Sequence, residues 1–345
     1  MRIALVSPYA LDIPGGVQDQ VSGLAELLEG RGHSVMRVGP VANDAGGIVA
    51  VGSPVRWRAN GSIVPMTVDP RSVALTRSAL READVVHVHE PLVPWVGWAA
   101  MTRRAGLVAT FHADPSGLVR RTYRLAGPIG RRIFSGVAVS AVSPVAASAA
   151  RLLGLDPVII PNGVDVSRYG HGARQSKTVA FLGRDDPRKG LDVLLEAWPE
   201  VRHRHPDARL VVIGATRPSR PGVTFTGRVD EPTKRSLLAT AGVFCAPNLE
   251  GESFGITLVE GMASGSAVVA SSLPAFREVL GGVGDLVSPG DAIGLAVALS
   301  DLLDDPERAG RLGAAARQRA AAFDWAGVVD AYESLYASTL PTIKA

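Results

Sequence analysis

Residues 243–271 read VFCAPNLEGESFGITLVEGMASGSAVVAS, and this stretch decides the fold. It contains a predicted strand at Val243–Ala246, a glycine-rich loop, a predicted helix and a second predicted strand at Ala267–Ala270. Both strands are short runs of apolar and small residues, which is typical of strands buried inside a parallel sheet. A helix between two such strands indicates a right-handed βαβ unit. We therefore expect an α/β protein whose ligands bind at the loops that follow strands.

The alternation of strands and helices extends along the chain in two sets. The first set of predicted strands is Arg2–Val6, Ser34–Val38, Asp84–His89, Leu107–Phe111, Val137–Val142 and Val158–Ile160. The second set is Thr178–Leu182, Leu210–Ile213, Val223–Thr226, Val243–Ala246, Ala267–Ala270 and Asp285–Val287. Each set predicts one doubly wound sheet, so the expected fold class is α/β with two Rossmann-like domains.

The boundary between the two sets falls at Pro161–Asp165, which reads PNGVD and is rich in turn-forming residues. A chain of 345 residues fits two domains of ordinary size. We predict an N-terminal domain at 1–163 and a C-terminal domain at 164–325. Helical periodicity resumes after Pro306 and continues to about Tyr336. The last segment, 326–345, is predicted to be a helix that crosses back to the N-terminal domain.

Composition and charge exclude several classes of protein. Cys245 is the only cysteine, so the chain has no intramolecular disulfide and no cysteine-based metal cage. No uninterrupted apolar stretch is long enough to span a membrane, and no signal peptide precedes the first strand, so we expect a cytoplasmic protein. Residues 1–163 have a net charge of +5 and residues 164–345 have −2, which favours an anionic partner for the first half.

The loop after the first strand carries Gly15 and Gly16 at the start of a predicted helix. Backbone N–H groups at such a position can bind an anion, and the helix dipole supports them. The spacing is not GxGxxG and no acidic residue ends the second strand, so a nicotinamide dinucleotide site is disfavoured. Taken alone, the glycine pair is explained better by a structural turn.

The loop Gly183–Gly190, GRDDPRKG, follows the first strand of the second set and holds Arg184 and Lys189. A guanidinium fork and an ammonium suit a diphosphate leaving group, whose charge grows as a glycosidic bond breaks. For either residue alone, an exposed charged turn is the alternative explanation.

The stretch Gly251–Glu260, GESFGITLVE, holds two carboxylates eight positions apart, Glu252 and Glu260. Glu252 is predicted at the junction of loop and helix, and Glu260 about two turns inside the helix on nearly the same face. The N–H groups at the helix start can hold a phosphate, while one carboxylate bonds sugar hydroxyls and the other a ribose. Two glutamates at this spacing also occur often by chance.

Histidines end two strands of the first set. His87 and His89 share one face of a strand without further ligands nearby in sequence, so they do not predict a metal site. His112 ends its strand in a polar loop and is the better candidate for contact with a substrate.

Together these segments resemble a known family. PNGVD, GRDDPRKG, VVIG, TGRVDEPTK and the 245–271 segment, in this order and spacing, resemble the retaining GT-B glycosyltransferases of family 4 with the E-x(7)-E motif. The start of the chain, NGS at 60–62, VHVHEP at 86–91 and ATFHAD at 109–114 are similar to the actinobacterial branch that mannosylates phosphatidylinositol. The resemblance covers nearly the whole chain. It implies two Rossmann-like domains that face a central cleft and a nucleotide-sugar donor, without a metal or a tightly bound cofactor.

The resemblance also implies roles for individual residues. The residues implied in catalysis are His112, Arg184, Lys189 and Glu252. Those implied in donor binding are Gly16, Arg184, Lys189, Val229, Glu231, Lys234, Glu252, Ser253, Phe254, Gly255, Ile256 and Glu260. Those implied in acceptor binding are Tyr9, Asp12, Gln18, Asn60 and Ser62.

The implied reaction is transfer of an α-mannosyl group from GDP-mannose to the inositol ring of phosphatidylinositol. A separate hypothesis is peripheral contact with the inner face of the plasma membrane, where Arg71, Arg77, Arg81 and the arginines of 120–132 attract anionic lipid. Solvated helix faces are the alternative explanation for these arginines. The chain departs from the family at Leu92, in a shorter loop between Arg184 and Lys189, and in a less basic helix around Arg77.

Three alternatives stay open beside this reaction. The first is a related glycosyltransferase that uses another nucleotide-sugar or another acceptor, such as a soluble inositol phosphate, a glycolipid or a trehalose-like sugar. The second is a non-catalytic nucleotide-sugar-binding protein, which has no need of Glu252, Glu260 and His112 together. The third, nucleic-acid binding, has only the basic patch in its favour and is not predicted.

Overall fold

The computed structural model describes residues 1–43, 46–59, 62–103, 106–115, 117–170 and 174–341. The chain forms two α/β units. The first runs from Met1 to Gly163 and includes the segment from Trp325 onward, and the second is Val164–Asp324. None of the helices in the described part of the chain combines the length and the apolar character needed to cross a bilayer.

The first unit contains a parallel sheet and a separate antiparallel hairpin. The parallel strands are β1 (Arg2–Val6), β2 (Ser34–Gly39), β3 (Ile48–Ala50), β6 (Val85–His89), β7 (Leu107–Phe111), β8 (Ala138–Ala141) and β9 (Val158–Ile159). Their spatial order is β3-β2-β1-β6-β7-β8-β9, and the hairpin pairs β4 (Val55–Ala59) with β5 (Ser62–Met66). The order reverses between β1 and β6, so the loops after these two strands flank the crevice where ligands bind in such sheets.

Helices cover the sheet of the first unit. They are α1 (Gly16–Gly30), α2 (Arg71–Ala79), α3 (Val96–Ala100), α4 (Gly117–Leu125), α5 (Gly127–Ile133), α6 (Pro144–Leu152) and α13 (Trp325–Thr339). The apolar stripe of α1, with Val21, Leu24 and Leu28, is buried in one core with Ile3 of β1 and Tyr336 of α13. Burial of this stripe is what stabilises α1, because isolated helices of this length are marginal in water.

The second unit repeats the architecture with a six-stranded parallel sheet. Its strands are β10 (Gln175–Leu182), β11 (Arg209–Ile213), β12 (Val223–Gly227), β13 (Ala241–Ala246), β14 (Ala267–Ser271) and β15 (Asp285–Val287), in the order β12-β11-β10-β13-β14-β15. Its helices are α7 (Leu191–Arg204), α8 (Glu231–Thr240), α9 (Ile256–Ala263), α10 (Pro274–Leu280), α11 (Ala292–Asp304) and α12 (Pro306–Ala320). Here the order reverses between β10 and β13, which places the ligand crevice at the loops after these strands.

The twelve predicted strands are all present, each within three residues of its predicted ends, and both main sheets are parallel. The prediction of a doubly wound α/β fold is therefore confirmed. β3 and the β4–β5 hairpin were not predicted, because their short segments lack the continuous apolar run of a buried strand. The helix predicted from Pro306 to about Tyr336 is interrupted: α12 ends at Ala320 and α13 begins at Trp325. Asp324, in extended conformation between them, accepts a hydrogen bond from the backbone N–H of Val166 instead of continuing a helix.

Candidate functional site

Lys189 and Glu252, which come from different loops of the second unit, are hydrogen-bonded to each other. The Lys189 Nζ donates to Glu252 Oε2 at 2.7 Å, and Asn248 Nδ2 donates to the same oxygen at 2.9 Å. The two charged side chains are 23% and 17% exposed, so the pair is largely shielded but open to a ligand. A partly buried pair of this kind is stronger than a surface ion pair, since water screens it less.

The fold explains why these two loops meet. The first follows β10 and the second follows β13, and these strands are neighbours at the reversal of the strand order. Gly190 has φ +69°, and a Cβ at this position would overlap the carbonyl oxygen of Pro247. The N–H of Leu249 donates to the carbonyl of Arg188 at 2.8 Å. Only a glycine allows this close approach, so Gly190 is what brings Lys189 next to Glu252.

The remaining charges of the basic loop divide into paired and exposed groups. Asp186 accepts a hydrogen bond from the backbone N–H of Arg188 at 3.0 Å, and the Arg188 side chain holds the pKa of the Asp186 carboxyl below its usual value. The Arg184 side chain is exposed. Arg184 is therefore more open to solvent than Arg188 and Lys189 of the same loop.

Glu260 lies deeper in the second unit and is also paired. Lys234 Nζ donates to its Oε1 at 2.6 Å and to Glu231 at 2.7 Å. Burial lowers the pKa of Lys234, but Glu260 and Glu231 together raise it above its usual value, so the ammonium stays charged. The prediction that Glu260 lies two turns inside the helix is wrong. α9 begins at Ile256, after the left-handed Gly255 with φ +105°, so Glu260 lies about one turn inside.

Tyr169 also contacts Glu260 and was not predicted from the sequence. Its hydroxyl donates to Glu260 Oε1 at 2.7 Å, and both side chains are buried. Burial, and then the charge of Glu260, raise the pKa of Tyr169, so the phenol remains a donor. Arg317 of α12 donates to the carbonyl of Tyr169 at 2.6 Å and also to that of Ala263 at the end of α9. The only sequence signal is that Tyr169 follows the PNGVD segment closely.

The start of α9 carries backbone N–H groups of the kind that can bind an anion. The first N–H groups of the helix have no acceptor within it, as at every helix start. Phe254 is 4% exposed and packs edge-on against Phe323, with ring centroids 5.6 Å apart, so its side chain belongs to the core. Of the residues predicted to frame a base, Val229 is partly buried and Glu231 is exposed in the first turn of α8.

In the first unit, one of the predicted acceptor residues after β1, Asp12, is held by neighbouring backbone groups. The Asp12 carboxylate accepts hydrogen bonds from the N–H groups of Ala42 and Asn43 at 2.8 to 3.0 Å. Burial raises the pKa of Asp12, but these backbone hydrogen bonds together bring it below its usual value. Gln18 is buried, whereas Gly16 is exposed at the start of α1. Asn60 and the Ser62 side chain lie outside the described residues, although the Ser62 backbone begins β5.

His112 is joined to a chain of buried polar groups. Its Nε2 lies 2.8 Å from His89 Nδ1, and the side chain of Asn162 beside the ring acts to raise the pKa of His112. Burial lowers the pKa of His112 to about 4, so the imidazole is neutral at pH 7. His87 is engaged by the Tyr336 hydroxyl at 2.8 Å and by Thr110 Oγ1 at 2.6 Å. The His-x-His pair thus serves the polar core of this unit.

Comparison with known proteins identifies the family. The family described as "Glycosyltransferase Family 4" matches residues 14–168, and the one described as "Glycosyl transferases group 1" matches residues 176–305. The phosphatidyl-myo-inositol mannosyltransferase of Mycolicibacterium smegmatis is 38% identical, over 95% of this chain and 91% of that protein.

Two solved structures show the same fold. The sucrose-phosphate synthase of Thermosynechococcus elongatus has a TM-score of 0.75 at 23% identity, and 98% of each chain is covered. The Anabaena protein Alr3699/HepE, solved in complex with UDP-glucose, has a TM-score of 0.76 at 19% identity and covers 98% of this chain and 100% of its own. The fold is GT-B, as predicted. With 38% identity along nearly its whole length, the chain belongs to the glycosyltransferase family that contains the phosphatidyl-myo-inositol mannosyltransferases.

Proposed function

We propose that this enzyme transfers an α-mannosyl group from GDP-mannose to the inositol ring of phosphatidylinositol, with retention of configuration. The observation that carries the proposal is the Lys189–Glu252 pair at the strand-order reversal of the second sheet. In this pair the ammonium of Lys189, which suits a diphosphate, lies next to the carboxylate of Glu252, which suits sugar hydroxyls. The identity to a mannosyltransferase that acts on phosphatidyl-myo-inositol supports the choice of sugar and acceptor.

The second unit is the proposed donor domain. Arg184 and Lys189 bind the diphosphate, and the backbone of Ser253–Ile256 lies near the phosphates. Glu252 binds the mannose and Glu260 the ribose. The residues that frame the guanine are Val229, Glu231 and Lys234. Without a donor, Lys189 is hydrogen-bonded to Glu252. When the donor binds, this hydrogen bond breaks. Lys189 then binds the diphosphate, and Glu252 accepts hydrogen bonds from the sugar hydroxyls.

The proposed reaction has no covalent intermediate. The bond between C1 of mannose and the phosphate oxygen breaks, and its electron pair leaves with GDP. The sugar becomes oxocarbenium-like, and the acceptor hydroxyl attacks C1 from the same face while its proton passes to the leaving phosphate oxygen. Lys189, Arg184 and the start of α9 stabilise the charge that develops on the phosphate, which we expect to be the largest contribution to catalysis.

The first unit is the proposed acceptor domain. Tyr9, Asp12, Gln18, Asn60 and Ser62 are proposed to face the inositol phosphate head group, with Gly16 close to the donor and His112 near the reacting sugar. The Nε2 of His112 lies 2.8 Å from His89 Nδ1. Contact of this nitrogen with a sugar hydroxyl therefore requires it to leave His89.

The proposed function is tested by product analysis with radiolabelled GDP-mannose and vesicles that contain phosphatidylinositol. We expect a labelled lipid from which α-mannosidase, and not β-mannosidase, releases the label. A panel of nucleotide-sugars and of soluble inositol phosphate, glycolipid and sugar acceptors is run in parallel. Labelling of one of these acceptors in place of phosphatidylinositol would contradict the proposed acceptor and leave the transferase class intact.

We also propose that the first unit contacts anionic lipid. On α4 and α5, Leu125, Ile129 and Ile133 are 76%, 63% and 46% exposed. The arginines beside them in sequence, Arg121, Arg124, Arg131 and Arg132, are exposed as well. A basic surface with exposed aliphatic side chains suits the interface of a negatively charged bilayer, where each cation contributes about 1 kcal/mol. Arg71, Arg77 and Arg81, in and just after α2, are also exposed and add to the same attraction.

Replacing Leu125 and Ile129 together with serine is expected to lower vesicle binding about tenfold, because two large apolar side chains no longer enter the interface. Co-sedimentation at low salt with vesicles of phosphatidylinositol and phosphatidylcholine measures this. The matched control replaces Ile293 and Val297, which are 81% and 47% exposed on α11 of the second unit. Equal loss in both double variants, or no loss in the first, would contradict the proposed surface.

A further inference from the structure

Glu90 follows directly after the strand β6, at the strand-order reversal of the first sheet. β6 is the neighbour of β1, and the loop after β1 carries Tyr9. Groups after these two strands flank the ligand crevice of a doubly wound sheet. Glu90 is neither one of the proposed donor-binding residues nor one of the predicted acceptor-binding residues. It nevertheless follows the central strand of this sheet, at the carboxyl ends of the strands.

One oxygen of the Glu90 carboxyl is fixed by the protein. Oε1 accepts hydrogen bonds from the backbone N–H groups of His112 and Ala113, each at 2.8 Å. Glu90 also has φ +52°, a left-handed conformation that is unfavourable for residues other than glycine. Backbone strain of this kind concentrates at functional sites, where the surrounding structure holds it in place.

The other oxygen is open. Within the described part of the chain, no hydrogen-bond donor contacts Oε2, and the residue is only partly buried. An amide oxygen would accept the same two backbone hydrogen bonds without the cost of burying a carboxylate. The link to the loop after β7 therefore does not explain why a carboxyl group stands here.

The titratable groups around Glu90 come from three other elements and are neutral. Burial, and then the charge of Glu90, raise the pKa of Tyr9 in the loop after β1 and of Tyr123 on α4. Burial keeps His112, after β7, neutral at pH 7. Burial also raises the pKa of Glu90 to about 7, against the two backbone hydrogen bonds, which lower it. A carboxyl with such a pKa in a ligand crevice is typical of a functional group.

We propose that Glu90 is an acceptor-binding residue whose Oε2 accepts a hydrogen bond from a hydroxyl of the polyol acceptor, while the loop after β7 holds Oε1. A carboxylate repels a phosphate, so Glu90 faces the uncharged hydroxyls of the ring and not the phosphodiester. This inference rests on the proposed function, because it assigns Glu90 to the acceptor of that reaction.

The test is Glu90→Gln, which keeps an oxygen for the two backbone N–H groups and replaces the free oxygen with an NH₂ donor. We expect the KM for phosphatidylinositol in mixed micelles to rise about tenfold, the effect of losing one hydrogen bond to a charged group, while the KM for GDP-mannose is unchanged. In the wild type, kcat/KM for the acceptor rises with pH as the carboxyl ionises, with a midpoint near the raised pKa of about 7. In Glu90→Gln this rise disappears.

Glu90→Ala and Glu29→Gln complete the comparison. Glu29 is exposed on α1 and is expected to behave as wild type. If Glu90→Gln matches the wild type in KM and pH profile while Glu90→Ala is impaired, Glu90 only links two loops and the inference is overturned. If the wild type labels no inositol lipid, the proposed function is contradicted instead. The same three variants are then compared with the polyol acceptor that the panel identifies, and an unchanged KM in Glu90→Gln again overturns the inference.

Discussion

Replacing Lys189 with alanine is expected to lower kcat about 10³-fold and to leave the protein folded. The ammonium is the shielded cation of the donor loop, and its Nζ lies 2.7 Å from the Glu252 carboxylate. When the glycosidic bond breaks, the leaving diphosphate gains negative charge. In the variant no ammonium at position 189 stabilises this charge. The variant also leaves Glu252 without its cation, so the affinity for the anionic donor falls as well. We expect the Kd for GDP to rise by about one order of magnitude.

Single-turnover kinetics and calorimetric titration with GDP measure the two effects separately. The matched control is Lys177→Ala. Lys177 donates to Asp207 at 2.9 Å near the start of β10, at the edge of the sheet opposite the ligand crevice. The Lys177→Ala substitution also removes one positive charge and one ion pair, and we expect this variant to have normal turnover. A Lys189→Ala enzyme with near-normal kcat would exclude Lys189 from the diphosphate site.

The sequence was sufficient for the fold because the fold depends on local patterns. Runs such as Val85–His89 and Ala267–Ser271 are buried on both sides, so every residue in them is apolar or small, apart from the histidines of β6 and the last serine of β14. His87 is tolerated because Thr110 and Tyr336 bond to its two ring nitrogens in the core, and His89 is bonded through its Nδ1 to His112. Such runs are visible without knowledge of their partners.

The side-chain contacts of the candidate site could not be predicted from local sequence patterns. Lys189 and Glu252 are 63 positions apart, and Tyr169 and Glu260 are 91 apart. Their pairing depends on which strands become neighbours and on the close approach that Gly190 permits. The prediction for Glu260 was wrong by one turn because a loop of unknown conformation precedes α9, and Gly255 delays the helix start. The sequence was thus enough to predict which residue types lie in which loops. The hydrogen-bond partners of these residues could be identified only from the folded structure.

Glu90 illustrates the same difference. In the sequence it is one acidic residue after His87 and His89, inside the VHVHEP segment of the family resemblance, and no role for it follows from that segment. Glu90 itself has a left-handed backbone, and its two backbone N–H partners come from the loop that follows β7, whose position depends on the sheet. A strained, half-satisfied carboxyl is a structural signal, and no periodicity or spacing predicts it.

Glu252→Gln is expected to lower kcat/KM for GDP-mannose by two to three orders of magnitude, less than loss of Lys189, and not to weaken the binding of GDP alone. Glutamine keeps the size of the side chain and an oxygen for Asn248, so the loop stays in place. It loses the negative charge that binds sugar hydroxyls most strongly in the transition state, when positive charge develops at C1. It also releases Lys189 from its ion pair, so GDP binds as tightly as to the wild type or more tightly.

The variants Lys189→Ala and Glu252→Gln therefore separate the roles of two residues that are hydrogen-bonded to each other. Calorimetry with GDP and kinetics with GDP-mannose are run on both, with Glu250→Gln as the control, because Glu250 is an exposed carboxylate two positions away. Weaker GDP binding in Glu252→Gln would mean that this residue supports the nucleotide and not the sugar. In the double variant Lys189→Ala with Glu252→Gln, we expect a loss in kcat smaller than the product of the single losses. Each single change already breaks the hydrogen bond that the two side chains share, and a shared interaction is lost only once.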